Sequence, residues 1–489
     1  MIDAQVVRRL DNGETPQGTL IMQFVIEMIK NRLRPIRNAK NFNNTFGRET
    51  LQELKVPSRT AVRCDVLRGR YAIVVDMTQW FDQLPLDKAV ELFFCFDPLD
   101  GKGICCATTV PMGMRHASEV GTGTMRRLLD YKMSNEVYTK CVADGVRFIG
   151  EIDDIVAEFI TFAERCSIVG AQLNEANVDD ITREAKESVA RGEKKDSAIA
   201  RSLVTQKYTF LGENFDHTNN TMCSTKKTQE KLVLTWSRRD CWTNRQFASH
   251  LGLLYYASST ARISLAQFHS VIRHFARVCS MLQKHPECWD DPAEPLAPSL
   301  QAELKTWSEH VMRNTPVDIP LLEQQECGSI ICTDASGTGW AGIHINLESG
   351  AVQTFREDWP PNHRLIGAGS PSTEPQAVKR AICRFLRPAD KGVVCVLTDH
   401  SSLVDSLEKG HSKSYDYTLM LQTMSCFAAQ FFIKHIPGDE NPVDKASRGA
   451  CDVDVATAVP TVMRLFDGAV YVPATGPFSN PLKTAALPR

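Results

Sequence analysis

Four times in this chain an apolar, strand-forming run ends in aspartate: "AIVVD" (72–76), "FIGEIDD" (148–154), "SIICTD" (329–334) and "VCVLTD" (394–399). Runs of this kind read as buried strands. A carboxylate at the end of such a strand leaves the sheet and faces a cleft, so acids far apart in sequence can meet at one place. Carboxylates brought that close cannot all stay ionised without cations. The pattern therefore asks for mixed helix-and-sheet layers, and for positive charge at the strand ends.

At 489 residues the chain exceeds what one hydrophobic core supports, and two to four domains are expected. Charged residues at 23% and hydrophobic residues at 43% are ordinary for a soluble globular protein. No apolar run has the length of a membrane span, and "MIDAQVVRRLDNGETPQG" lacks the apolar core of a signal peptide. No membrane association is expected, and a cytoplasmic or nuclear location is. The 16 cysteines have no metal-binding spacing and read as reduced thiols. A net charge of −2 hides an uneven distribution: residues 201–284 hold twelve Lys/Arg against four Asp/Glu, and residues 1–60 hold ten against six. Residues 285–327 hold two against nine. Basic blocks of this kind suit phosphate contact.

Residues 1–230 read as mixed α/β, and 241–283 as helical, with Phe247, Leu251, Leu254 and Tyr255 at helix spacing. "HPECWDDPAEPLAP" (285–298), with four prolines, reads as a helix-breaking linker. Residues 178–202 read as an exposed charged helix, and strand patterns resume at Gly328. No internal repeat is evident.

In the first region, the strand Ala72–Val75 runs into Asp76, and "RFIGEIDDIVAEF" (147–159) reads as two strands around the pair Asp153–Asp154. If the strands are neighbours, the three carboxylates converge, and two Mg²⁺ ions roughly 4 Å apart would neutralise them and serve phosphoryl transfer. A plain hairpin turn is the alternative for the two adjacent acids. "VVDMTQWFDQLPL", "VPMGMRHASEVGTGTM" (110–125), "FIGEIDDIVAEF" and "YTFLGENFD" (208–216) resemble, in order and spacing, the palm motifs of retroelement reverse transcriptases. "LRPIRNAKNFN" (33–43) resembles the preceding fingers motif. The resemblance implies that Asp76, Asp153 and Asp154 bind metal and that Phe81 is the steric gate against a 2′-hydroxyl. It implies that Pro111, Met112 and Gly113 touch nucleotide and template, that Arg34 and Lys40 face the triphosphate, and that Leu211 and Gly212 form the primer grip. Three positions depart from the family pattern: Glu151 beside the acidic pair, Met112, and Asn177 where a lysine often donates a proton.

In the last region, Asp334 ends a strand, Glu374 lies where "STEPQAVKRAICRFL" opens a helix, Asp399 ends a second strand, and Asp444 opens a helix in "FFIKHIPGDENPVDKASRG". Every acid stands at an element's end, as a cluster built from distant sequence requires. The order Asp334, Glu374, Asp399, Asp444 resembles the acidic set of ribonuclease H, and "TDAS" and "ENPVDKASRG" resemble retroelement versions of it. The resemblance implies two metals activating water, with His435 assisting proton transfer or product release.

The expected fold class is thus α/β (α+β) multidomain, a right-hand polymerase followed by an RNase H-like domain. Residues 1–230 are read as fingers and palm, 231–284 as thumb, 285–327 as an acidic connection, 328–450 as RNase H-like and 451–489 as tail. The expected activity is RNA- and DNA-directed DNA synthesis with hydrolysis of RNA in hybrids. The cofactor is two Mg²⁺ per site, for which Mn²⁺ can substitute. The partners are RNA template, DNA primer, RNA–DNA hybrid and dNTPs. The lineage resembled is LTR-type or DIRS-like, and the departures point to the kinetoplastid DIRS-like group. Two alternatives remain open: a scaffold that keeps both folds without catalysis, and an RNase H whose polymerase half only binds. All seven acids are present, which speaks against the scaffold.

Overall fold

The computed structural model describes residues 6–17, 22–28, 32–39, 43, 59–131, 134, 136–263, 265–319, 322–325, 327–410, 412, 414–466 and 470–473. The chain divides into two compact units, Met1–Leu211 with Phe215–Asn220, and Gly212–Asn214 with Thr221–Arg489. The division falls at 211–221. No helix among the described residues is long and apolar enough to cross a membrane. No disulfide joins any of the 16 cysteines.

The first unit is built on an antiparallel sheet of β1 (Tyr71–Asp76), β2 (Tyr138–Val142) and β3 (Gly145–Gly150), in the order β1-β3-β2. Tyr71 lies opposite Gly150 and Asp76 opposite Gly145. The β2–β3 hairpin closes through Ala143 and Asp144, with Ala143 at a φ of 54°. After β3 the expected second strand is absent. Residues Ile152–Val169 form helix α2, not a strand returning from a turn. Ile155, Val156, Phe159, Ile160, Phe162, Ala163 and Cys166 recur at helical spacing and are buried. Phe159 and Phe162 pack on Phe148 of β3, with ring centroids 5.8 and 5.7 Å away. Gly170, at a φ of 74°, ends the helix with its N–H bonded to the carbonyls of Cys166 and Ser167. Residues 178–202 read as an exposed charged helix. Helix α3 (Val178–Ala190) instead buries Val178, Ile181 and Ala185 in the same core. Asn177 caps it by accepting from the N–H groups of Asp179 and Asp180.

After the strand Thr221–Ser224, the second unit continues with helices α4 (Lys226–Ser237), α5 (Asn244–Thr260), α6 (His269–Lys284) and α7 (Pro298–Arg313). The acidic stretch 285–327 is therefore not a linker throughout. Pro298 stands in the first turn of α7, where its missing N–H costs no hydrogen bond. Leu304, Trp307 and Val311 share a core with Leu232, Phe247, Leu251 and Leu254. The Trp307 ring stacks on Phe268 with centroids 5.1 Å apart, and its indole N–H donates to Ser258 Oγ at 2.7 Å.

A five-stranded sheet follows, in the order β6-β5-β4-β7-β8: β4 (Cys327–Ala335), β5 (Gly339–Asn346), β6 (Val352–Asp358), β7 (Val393–Thr398) and β8 (Gln430–His435). The pairs β4–β5 and β5–β6 are antiparallel, and β4–β7 and β7–β8 are parallel. Helix α8 (Ser370–Phe385) covers one face with Ala377, Val378, Ala381 and Ile382. The expected tail contributes to the other core, where helix Val455–Phe466 buries Ala458, Val462 and Phe466. Residues 474–489 lie outside the described residues.

Trp307→Ala should lower the unfolding free energy by about 3–5 kcal/mol, read by denaturant titration. A residue in a free linker would lose less than about 0.5 kcal/mol.

Candidate functional site

In the first unit, strand register decides which acids meet. Five residue steps separate Asp76–Gly145 from Tyr71–Gly150, so Gly150, which precedes Asp153 and Asp154, lies roughly 17 Å along the strands from Asp76. The structure does not bring the three expected ligands together. It places Asp153 and Asp154 in the first turn of α2, where negative charge complements the helix dipole. The Arg201 guanidinium donates to Asp153 at 2.8 Å and also holds Asp196. Arg70 grips Glu151 with two bonds of 2.9 and 2.6 Å and lowers its pKa. The positive partners of this acidic stretch are thus arginines of the chain itself.

The acid beside Asp76 is Asp144, in the hairpin turn. The Asp144 carbonyl accepts from the Met77 N–H at 2.9 Å. A Cβ on Gly145 would stand 3.0 Å from Asp76 Oδ1, so glycine leaves that carboxylate its space. Glu175 approaches from the other side, its Oε2 accepting from the Asp76 N–H at 3.0 Å. Partial burial, then the Asp144 charge, raises the Asp76 pKa, and burial with the nearby Asp76 raises that of Glu175. Asp144 and Glu175 were not singled out from the sequence. The signal for Asp144 was there: an Asp-Gly pair between two strand-like runs marks a hairpin.

Phe81 lies in the short turn Trp80–Gln83 after β1, half-buried against the core of the first unit. A Cβ on Gly121, in helix α1 (Ala117–Leu128), would stand 3.1 Å from the Phe81 ring and 2.9 Å from the Trp80 indole nitrogen. Pro111 is buried, while Met112 is 67% exposed. Asn43 braces this loop, donating to the Gly113 carbonyl at 2.9 Å and accepting from the Arg115 N–H at 2.7 Å. Leu211 and Gly212 form a tight turn, both at positive φ (49° and 74°). Arg34 lies in the strand Arg32–Asn38, and its side chain is outside the described residues, as is Lys40 altogether.

In the second unit three of the four expected acids come together. Cys332 pairs with Leu397 across the parallel strands, so Asp334 and Asp399, each two residues further on, emerge side by side. Glu374 reaches them from the first turns of α8, its Oε1 accepting from the Ala335 N–H at 3.1 Å. Oxygens of Asp334, Glu374 and Asp399 lie within 4.8 Å of one another. Asp334 and Glu374 are 4% and 3% exposed, and Glu374 Oε2 is buried without a hydrogen-bond partner. Asp444 stands outside this trio, its Oδ1 gripped by Arg448 at 3.0 and 2.6 Å. His435 Nε2 is 3.1 Å from the Asp399 carbonyl oxygen.

Burial, and then the neighbouring carboxylates, push Asp334 up to about 7, against the lowering Ser447 hydrogen bond. Burial with Asp334 and Asp399 pushes Glu374 up to about 9. Three oxygen donors, one an orphaned buried oxygen, fit a hard divalent cation.

No protein-family model and no curated protein matches the sequence. Solved structures similar to it include three of the foamy viral protease-reverse transcriptase. The dRH form with double-stranded DNA has 13% identity and a TM-score of 0.46, over 89% of this chain and 68% of that chain. The RNA/DNA hybrid complex has 12% identity and a TM-score of 0.47, over 88% and 52%. The double-stranded DNA complex has 12% identity and a TM-score of 0.46, over 89% and 81%.

Without metal, Glu374 and Asp334 hold protons in the folded state that the unfolded chain releases near the ordinary carboxylate range. Stability should therefore fall as pH rises from about 5 to 9. Melting temperatures in EDTA across that range should show the decline. Glu374→Gln should flatten it.

Proposed function

We propose that the chain is a nucleic-acid-directed DNA polymerase that also hydrolyses the RNA strand of RNA–DNA hybrids, with one acidic site in each unit. The observation that carries this reading is the trio of buried Asp334 and Glu374 with half-buried Asp399, whose oxygens crowd within 4.8 Å of one another at the end of two parallel strands. Such a site is stable as an anion only with cations, and paired Mg²⁺ or Mn²⁺ ions there would activate water against a phosphodiester. Asp334, Glu374 and Asp399 hold the cations, Asp444 completes the set on leaving Arg448, and His435 moves the proton.

In the first unit the same chemistry, directed to a primer hydroxyl and a dNTP, falls to Asp76 and Asp144, with Glu175 beside them. This departs from the expectation that Asp153 and Asp154 serve. The arginine on Asp153 and the place of both acids at a helix start support a structural role instead. Phe81 closes the space beneath the sugar, and the loop Pro111–Gly113 meets nucleotide and template. Lysines 226, 227 and 231 on α4 are exposed and suit contact with phosphates.

A second reading, an RNase H whose first unit only binds nucleic acid, is favoured by one observation. Among the described residues, only the second-unit trio has such closely gathered ligand atoms.

Primer extension on an RNA template with Mg²⁺, run beside hybrid cleavage, tests both readings. Asp76→Asn and Asp144→Asn should each abolish extension and spare cleavage. Asp399→Asn should do the reverse, and Asp153→Asn should leave both close to wild type. Loss of extension in Asp153→Asn with retention in Asp144→Asn would restore the sequence expectation. No extension by the parent chain beside active cleavage would establish the second reading. Phe81→Val should reduce discrimination against ribonucleotides on the order of 100-fold.

A further inference from the structure

Asp334 is buried, and neither of its oxygens is left to solvent alone. Oδ1 accepts from the Asn441 amide at 3.2 Å, and Oδ2 accepts from the Ser447 hydroxyl. Both donors are themselves buried, Asn441 at 6% and Ser447 at 1% exposure. They flank Asp444 at three-residue spacing, so one segment carries the fourth acid and both supports of the first.

The Asn441 amide has only one orientation that satisfies its surroundings. Its Oδ1 accepts from the Val443 N–H at 3.3 Å and from the Cys332 thiol at 3.5 Å. Its Nδ2 donates to the Thr333 carbonyl at 3.3 Å as well as to Asp334. Flipped, the oxygen would face a carboxylate and a carbonyl, and the NH₂ would face an N–H. Ser447 is anchored too: its carbonyl accepts from the Ser336 hydroxyl at 2.8 Å. Its own hydroxyl lies 2.8 Å from the Asp444 carbonyl, but the Asp334 carboxylate is the stronger acceptor.

We propose that Asn441 and Ser447 are positioning residues that fix the Asp334 carboxylate in its ligand orientation and set the affinity of the trio for a divalent cation. Each Asp334 oxygen spends one lone pair on a protein donor and keeps another for the ion. The donors also offset part of the cost of holding a carboxylate out of water. Groups that orient a ligand in this way typically contribute 10–100-fold to metal affinity. The inference rests on the reading of the trio as a metal site.

Mn²⁺ binding to the full chain, followed by the electron paramagnetic resonance signal of free Mn²⁺, provides the test. An Asp76→Asn, Asp144→Asn background confines the signal to the trio. Asn441→Ala and Ser447→Ala should each weaken Mn²⁺ binding by about 10-fold or more, and Ser447→Thr, which keeps the hydroxyl, should restore it. If a Ser447→Ala chain fails to fold by circular dichroism, Ser447→Cys, a weaker donor of similar size, takes its place. Weakened binding then supports the proposal. Parent affinity in the donor-less variants, with binding lost in Asp399→Asn, overturns it. Parent affinity in Asp399→Asn as well would instead overturn the metal-site reading itself.

Discussion

Negative charge gathered in a place with little water governs the second unit. Asp334 and Asp399 stand together because parallel strands in fixed register end together, and Glu374 joins them because α8 packs against that sheet with its start at the same edge. The Ala335 N–H answers one Glu374 oxygen and leaves the other buried and unanswered. A fold that tolerates this without a cation does so by keeping protons on the acids, which is why their pKa values rise. The sheet, the helix and Arg448 are thus arranged around a charge that the metal-free protein cannot express in full.

The first unit deals with its acids differently. Where the second unit buries Asp334 and Glu374, the first leaves Asp76, Asp144, Glu175 and Asp153 in contact with solvent. Exposed carboxylates are kept apart by strand register or answered by arginine, and pairs such as Arg70–Glu151 contribute little to stability. A site of that kind remains open to large ligands, and it gathers its ligand atoms less tightly before they arrive.

The second cluster was legible from sequence because each acid ends an element whose period is plain. Apolar runs of five or six residues before Asp334 and Asp399 could hardly be anything but strands, and parallel strands deliver their ends to one edge. The first cluster was legible only in part. The stretch read after Asp154 stopped at Phe159, and five residues are too few for their period to separate strand from helix. Packing of Phe159 and Phe162 on Phe148 settled it as helix. That shifted the acid beside Asp76 from Asp153 to Asp144, nine residues earlier. Trp307 illustrates a similar limit: prolines and acids before α7 suggested a linker, while the ring stack that buries it depends on Phe268, which no local pattern announces.

The hairpin that carries Asp144 works as a ruler with its zero at the turn. Distances along β3 are counted from Asp144, and Asp76 is read against the first mark, Gly145. Lengthening or shortening the far end of β3 would slide Asp153 and the start of α2, yet leave the first mark untouched. The two acids near the turn are thus insulated from changes in the length of the strand, and the acidic pair beyond it is free to drift.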